Sequence, residues 1–147
     1  MEKLTKRLKV SSFIVLLFAF ITLAELAISL FYGDYFDNAQ IPEGAPANIV
    51  GIAKIVILAV AAIFTIPQLY VGIKGFKVAN YPDDSKAHIV WAVIFFIFSI
   101  ASIVDSVIGL VHGGVSLDSI SLLATAMLNT AIYFDYIKHA KAVADAC

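Results

Sequence analysis

The sequence predicts an all-α integral membrane protein: one domain over residues 1–147, built as a bundle of four transmembrane helices. Hydrophobic residues make up 61% of the chain and the mean hydropathy is +0.94, whereas a soluble domain contains ~45–50% apolar residues. Charged residues make up 14%, against ~25% in soluble domains. A soluble fold of this length could not bury so much apolar surface. The composition also excludes a disordered chain and a nucleic-acid-binding module, and a single cysteine excludes an internal disulfide.

Four apolar stretches are each long enough to cross a bilayer, which takes ~20 residues of helix. Continuous apolar runs favour helices over the alternating strands of a barrel, and a helix satisfies its own backbone polar groups in lipid. The first stretch is longer than the apolar region of a signal peptide, so we interpret it as a retained span. The predicted spans cover about residues 10–32, 49–73, 89–111 and 117–137.

Turn signals separate the spans. The segment after the first span is polar and contains Pro42 and Pro46, which indicates a loop. A polar turn precedes the third span, where Asp84 or Ser85 is predicted to cap the helix. Gly113 and Gly114 predict a tight turn before the fourth span.

The basic residues predict the orientation of the chain. Nine of the ten lie before the first span, between the second and third, or after the fourth. Because cytoplasmic loops are enriched in Lys and Arg, we expect a cell-membrane protein with both termini cytoplasmic. Aromatic residues predict an interfacial belt on the same side. The basic residues are Lys3, Lys6, Arg7, Lys9, Lys74, Lys77, Lys86, Lys138 and Lys141, and the aromatic ones Tyr70, Trp91, Tyr133 and Tyr136.

The two halves of the chain resemble each other weakly. An offset of 80 aligns the first span with the third, and an offset of 64 aligns the second with the fourth. This pattern predicts two tandem, parallel helical-hairpin repeats over about residues 10–79 and 90–143. Matching by apolar composition alone is the alternative, and both interpretations stay open. The aligned pairs include Phe18 with Phe98, Thr22 with Ser102, Glu25 with Asp105, and Thr65 with Asn129.

Three ionisable residues lie inside the predicted spans at similar depth. Glu25, Lys54 and Asp105 are each roughly 7–11 Å from the outer ends of their spans, at 1.5 Å per helical residue. A charge within a membrane is costly unless it faces the bundle interior and is paired. We therefore predict that the three converge as an ion pair or an ion-binding cluster. A purely structural ion pair and a functional site both remain open.

Polar residues at helical spacing predict which faces of the spans point inward. Packing of small and hydroxyl side chains between membrane helices is an equally good explanation for such stripes. Pro67 is predicted to act as a hinge in the second span, or as a tolerated kink. The supporting polar stripe comprises Thr22, Ser29, Ser102, Thr65, Asp118, Thr125 and Asn129.

No catalytic constellation, metal site or cofactor motif stands out in the sequence, so we expect a protein that is not an enzyme. Two functions are predicted. The first is an accessory, scaffold or immunity-type module that acts through another membrane protein. The alternative is a small ion- or proton-coupled transporter or channel subunit that uses the intramembrane acids, which for a four-helix chain implies a homo-oligomer. The expected partners are the lipid bilayer and either further copies of the chain or another membrane protein, with no nucleic acid.

Overall fold

A computed structural model describes residues 2–32, 48–83 and 85–147, and in these ranges the side chains of Ser29, Tyr32 and Asp118 fall outside the description. The described residues form α-helices and no strand. Each helix is long and apolar enough to cross a membrane. The helices are α1 (Glu2–Tyr32), α2 (Ile49–Asn80), α3 (Ala87–Gly113) and α4 (Leu117–Ala144).

The four helices pack in a ring in which each one contacts the two beside it. Consecutive helices are neighbours, and α1 closes the ring against α4. We call the end of the bundle that carries both termini and the turn between α2 and α3 the terminal end. The opposite end is the loop end. This is the up-down-up-down topology that short connections favour in four-helix bundles.

The helix ends at the loop end agree with the predicted spans: α1 ends at Tyr32, α2 begins at Ile49 and α4 begins at Leu117. At the terminal end the helices run further than the predicted spans, to Glu2, Asn80 and Ala144. The reason is that Lys, Arg and Ala are all good helix formers, although Lys and Arg lower the hydropathy of these segments. Seven further residues extend a helix by ~10 Å.

The buried core is concentrated toward the terminal end. Buried residues of α2 begin at Val71, those of α3 end at Ser99, and those of α4 begin at Ala126. In α1 they lie between Leu8 and Ala19, with Leu30 as the one addition near the loop end among the described side chains. The core cluster consists of Leu8, Val15, Val71, Val78, Ala79, Ala92, Phe95, Tyr133, Tyr136, Ala140 and Val143.

Tyr136 occupies the centre of this core. It is fully buried, and its hydroxyl donates a 2.8 Å hydrogen bond to the Val71 carbonyl of α2. Tyr133, which is 7% exposed, belongs to the same core. The rings of both tyrosines fill space between the helices, and their depth near a membrane surface stays a prediction.

Two glycines of α2 allow the close approach of α1 and α4. A Cβ at Gly75 would come within 2.6 Å of Tyr136 Cε2 and would also strike the Ser12 and Tyr136 hydroxyls. A Cβ at Gly72 would lie 2.7 Å from Leu16 Cδ2 and 3.2 Å from the Ser12 carbonyl. Small residues at helix contacts let membrane helices approach closely.

The turn between α2 and α3 is held by Asp83. Its carboxylate accepts a 2.8 Å hydrogen bond from Lys74 Nζ and a 3.0 Å bond from the Ser85 N–H. The predicted cap is not found at Ser85, because α3 begins after Lys86, whose side chain makes no capping bond. Asp84 lies outside the described residues. The turn is thus anchored to α2 through Asp83.

Asp83→Asn is expected to destabilise the protein by about 0.5 kcal/mol near pH 7, since a partly exposed ion pair contributes little. The Lys74 ammonium and the Ser85 N–H hold the pKa of Asp83 below its ordinary value of 3.8. A lowered pKa in the folded state stabilises the fold above the ordinary pKa, and this contribution disappears as pH falls through the folded-state value. The difference in apparent Tm between the variant and wild type in detergent should therefore be smaller at pH 3 than at pH 7. An equal difference at both values would contradict the ion pair.

Candidate functional site: a polar cavity between the helices

A cavity of about 200 Å³ lies between the four helices, on the loop-end side of the core. All four helices contribute to its wall, which alternates aromatic rings with hydroxyl and amide groups. The aromatic residues are Phe18, Phe95, Phe98 and Tyr133, and the small and polar ones are Thr22, Gln68, Ser99, Ser102, Ala126 and Asn129. A polar cavity enclosed by apolar helices is the feature of this fold best suited to hold a solute.

The serines of α3 present oxygen acceptors in this cavity. Ser99 Oγ donates its hydrogen to the Phe95 carbonyl at 2.8 Å, and Ser102 Oγ donates to the Phe98 carbonyl at 3.0 Å. A serine hydroxyl has one hydrogen and two lone pairs, so its acceptor capacity remains once the hydrogen is used. The lining of α3 therefore favours a ligand that donates hydrogen bonds or carries positive charge.

The terminal side of the cavity is closed by packed side chains. The Phe95 and Tyr133 rings stack with centroids 5.5 Å apart and both belong to the buried core. Beyond them lie Ala92 and Tyr136, both fully buried. Toward the loop end the lining residues are more accessible, because Thr22 and Ser102 have exposed side chains. The cavity is closed on its terminal side and more open toward the loop end.

The two predicted acids lie one turn beyond the cavity. Glu25 follows Thr22 by three residues and Asp105 follows Ser102 by three, so each lies on nearly the same helix face as its cavity-lining neighbour. Both acids have exposed side chains, and Lys54 is half-buried. The convergence of Glu25, Lys54 and Asp105 into one cluster stays a prediction.

The other residues of the predicted polar stripe separate into two groups. Thr22, Ser102 and Asn129 line the cavity. Thr65 is half-buried and its hydroxyl donates to the Ala61 carbonyl of its own helix at 2.8 Å. Thr125 is exposed and lies outside the lining. The side chains of Ser29 and Asp118 are outside the described part of the chain.

Pro67 lies next to the cavity residue Gln68 within α2. The helix continues through Pro67 from Ile49 to Asn80. Proline has no N–H, so the usual bond to the Ile63 carbonyl is lost. A hinge motion at Pro67 stays a prediction.

A second polar group, which the sequence analysis did not single out, joins α1 to α4 at the terminal end. The Ser11 hydroxyl donates to Asp135 Oδ2 across the interface. His139 is 3% exposed, with Nδ1 3.3 Å from Asp135 Oδ1 and 2.8 Å from the Asp135 carbonyl. An acid within the fourth span, four residues before a histidine, was the available signal.

His88 is a second buried histidine, and unlike His139 it is paired with no acid in the described part of the chain. It is fully buried at the start of α3, and neither ring nitrogen has a hydrogen-bond partner. Its ring meets that of Tyr136 edge-on at a centroid distance of 6.0 Å. Within the described ranges, no three His, Cys, Asp or Glu residues lie close enough together to hold a metal ion.

Comparison of the chain with protein-family models, with curated proteins and with solved structures finds no match in any of the three. Function is therefore inferred from the geometry of the bundle.

Proposed function

We propose that the protein is a small membrane transporter or channel subunit that binds a small cation or cationic solute in the polar cavity. The observation that carries this proposal is the cavity itself, with wall residues from all four helices. Of the two functions predicted from the sequence, it favours the transport function over the accessory module. The carboxylates of Glu25 and Asp105 and the polar groups of the cavity wall would together bind the cation.

The size of the cavity limits what it binds. A volume of about 200 Å³ is below the ~300–1,000 Å³ of pockets for drug-sized ligands. It suits an ion with part of its hydration shell, or a solute of a few heavy atoms. Polar groups within a membrane bundle are costly unless they meet water or a ligand, so a polar cavity wall favours occupancy by one of them.

The charge around the cavity favours a cation. The lining residues are neutral, and the oxygens of Ser99 and Ser102 act as acceptors. Glu25 and Asp105 add two negative charges one turn toward the loop end, where a solute would enter, against one positive charge from Lys54 at a similar predicted depth. In a low-dielectric surrounding these carboxylates attract a cation more strongly than they would in water.

The predicted repeats, the orientation in the membrane and the homo-oligomer are part of this proposal. Two of the aligned pairs, Phe18 with Phe98 and Thr22 with Ser102, line the same cavity, which supports two hairpin repeats related by a two-fold axis along the membrane normal. With the basic residues at the terminal end, the protein would lie in the cell membrane with both termini cytoplasmic. The cavity would then open toward the outer side. A complete transport path would require a homo-oligomer.

Asn129→Leu is expected to reduce cation uptake at least tenfold, because it removes an amide from the cavity wall while keeping a similar volume. The measurement is Tl⁺ influx into proteoliposomes that contain a fluorescent Tl⁺ indicator, with a parallel series that uses a pH dye for protons. Glu25→Gln and Asp105→Asn should raise the Tl⁺ concentration for half-maximal influx. Elution from a size-exclusion column should match wild type for all three variants.

Thr125→Val is the matched control, since Thr125 lies one turn from Asn129 on α4 and has an exposed side chain. It should leave influx unchanged. If wild-type protein gives no Tl⁺ or proton flux above empty liposomes, the transport proposal fails. The accessory module is then favoured, and the closed core on the terminal side of the cavity is the feature that agrees with it.

A further inference from the structure

A groove with a basic rim runs along the interface of α1 and α4 at the terminal end. We call it the α1–α4 groove; it has a volume of about 510 Å³ and its rim consists of Lys3, Lys6 and Arg7. A smaller groove of about 250 Å³ adjoins it, shares Lys3 and Arg7, and adds Lys138. Four cationic side chains thus surround one concave surface.

The chemistry of the groove changes along its length. The basic rim belongs to the part of α1 before the predicted span, whereas Val10 and Ile14 of its wall lie within that span. From Lys3 to Ile14 the helix rises ~16 Å. Cations next to the membrane surface, followed by an apolar wall that runs into the membrane, match the layout of an anionic head group and its acyl chain.

The cations of the groove are not neutralised within the protein. Among the described residues, the ion pairs are Lys74 with Asp83 and His139 with Asp135, so none of the four groove cations is in one. Asp135 is the acid of the groove wall, and its carboxylate is already engaged by Ser11 and His139. The net charge that the groove presents is positive.

A comparable groove between α3 and α4 is less basic. It has a volume of about 370 Å³, and its charged lining residues are Lys86, Lys141 and Asp145. Two cations and one acid leave a smaller positive charge than in the α1–α4 groove. Any basic residue near an anionic membrane surface raises the affinity for that surface by about fivefold. This general attraction acts on both grooves.

We propose that the α1–α4 groove is a specific binding site for an anionic phospholipid. The phosphate lies among Lys3, Arg7 and Lys138, where Arg7 provides a bidentate donor. One acyl chain follows Val10 and Ile14 into the membrane. The lipid bridges the N-terminal turns of α1 and the C-terminal turns of α4. These two segments lie at opposite ends of the chain.

The test uses purified full-length protein in neutral detergent, with native mass spectrometry to count bound lipid. The probes are dioleoyl phosphatidylglycerol and dioleoyl phosphatidylcholine, which carry the same chains. Wild type is expected to retain phosphatidylglycerol in preference to phosphatidylcholine. Combined Lys3→Gln, Arg7→Gln and Lys138→Gln should weaken phosphatidylglycerol binding at least about a hundredfold, because each substitution removes a charge-assisted hydrogen bond to the phosphate that contributes about tenfold or more.

A matched variant removes the same charge at the same end: Lys77→Gln with Lys86→Gln and Lys141→Gln. It should weaken binding no more than about threefold. Ile14→Trp keeps every cation but fills the apolar part of the groove, and should weaken binding at least tenfold.

Equal loss in the two triple variants, unchanged binding in Ile14→Trp, or equal retention of the two lipids would each overturn the proposal. So would full displacement of phosphatidylglycerol by a soluble polyglutamate peptide, since the occupant would then be an acidic protein segment.

Discussion

Gly75→Ala is expected to lower the apparent Tm in detergent by several degrees, because the added methyl group has no room. Its Cβ would lie 2.6 Å from Tyr136 Cε2 and would meet the Ser12 and Tyr136 hydroxyls. Overpacking of a well-filled core typically costs ~1–3 kcal/mol. Gly75→Leu should prevent the helices from assembling. The measurement is thermal unfolding followed by the fluorescence of Trp91.

Gly109→Ala provides the control for the helical substitution itself, because a Cβ there has no neighbour within 4 Å. It should leave Tm unchanged or raise it slightly, as alanine favours a helix. The double variant Gly75→Ala with Tyr136→Phe should lose less than the sum of the two single variants, since one of the colliding oxygens is absent. Equal Tm values for Gly75→Ala and Gly109→Ala would contradict the close packing of α2 against α1 and α4.

Tyr136→Ala is expected to cost ~3–5 kcal/mol, the range for removing a large buried aromatic side chain. Tyr136 is fully buried, it donates to the Val71 carbonyl, and it packs against His88. Tyr136→Phe should cost only about 1 kcal/mol, because it removes the hydrogen bond and keeps the ring. Chemical unfolding in mixed micelles would measure both.

Tyr81→Ala is the matched control, because Tyr81 lies in the turn after α2 with 76% of its surface exposed. Its effect should stay within ~0.5 kcal/mol, as for other exposed positions. If Tyr136→Ala were no more damaging than Tyr81→Ala, the core would not be centred on Tyr136.

The fold could be predicted from the sequence where hydropathy determines it. The described loop-end helix termini at Tyr32, Ile49 and Leu117 agree with the predicted spans because the apolar run and the helix stop together. At the terminal end they differ, since a helix outside the membrane tolerates lysine and hydropathy does not report it. The close packing at Gly72 and Gly75 became visible only in the packed bundle, because it depends on which side chains of α1 and α4 lie opposite them.

The site could be predicted less completely. Helical periodicity identifies the faces that carry Thr22, Ser102 and Asn129, and the structure brings these three to one cavity. Periodicity cannot show which neighbour a face meets, so the meeting of these faces with Gln68 and Ser99 in one cavity follows only from the packed bundle. The contact of Ser11 with Asp135 joins residues 124 apart in the chain, and no local pattern relates them.

The uneven distribution of the core has a mechanical consequence. Buried contacts hold the helices together at the terminal end, whereas from the cavity outward the described buried side chains are few, with Leu30 and Ala126 among them. Because α3 and α4 are joined at the loop end through residues 114–116, they can move there only as a pair, and a small rotation of the pair at the clamped terminal end becomes a larger displacement at the loop end. Widening the mouth of the cavity would expose little buried surface and leave the clamp intact, so its energetic cost is low. A bundle built in this way can change the width of its entrance without partial unfolding.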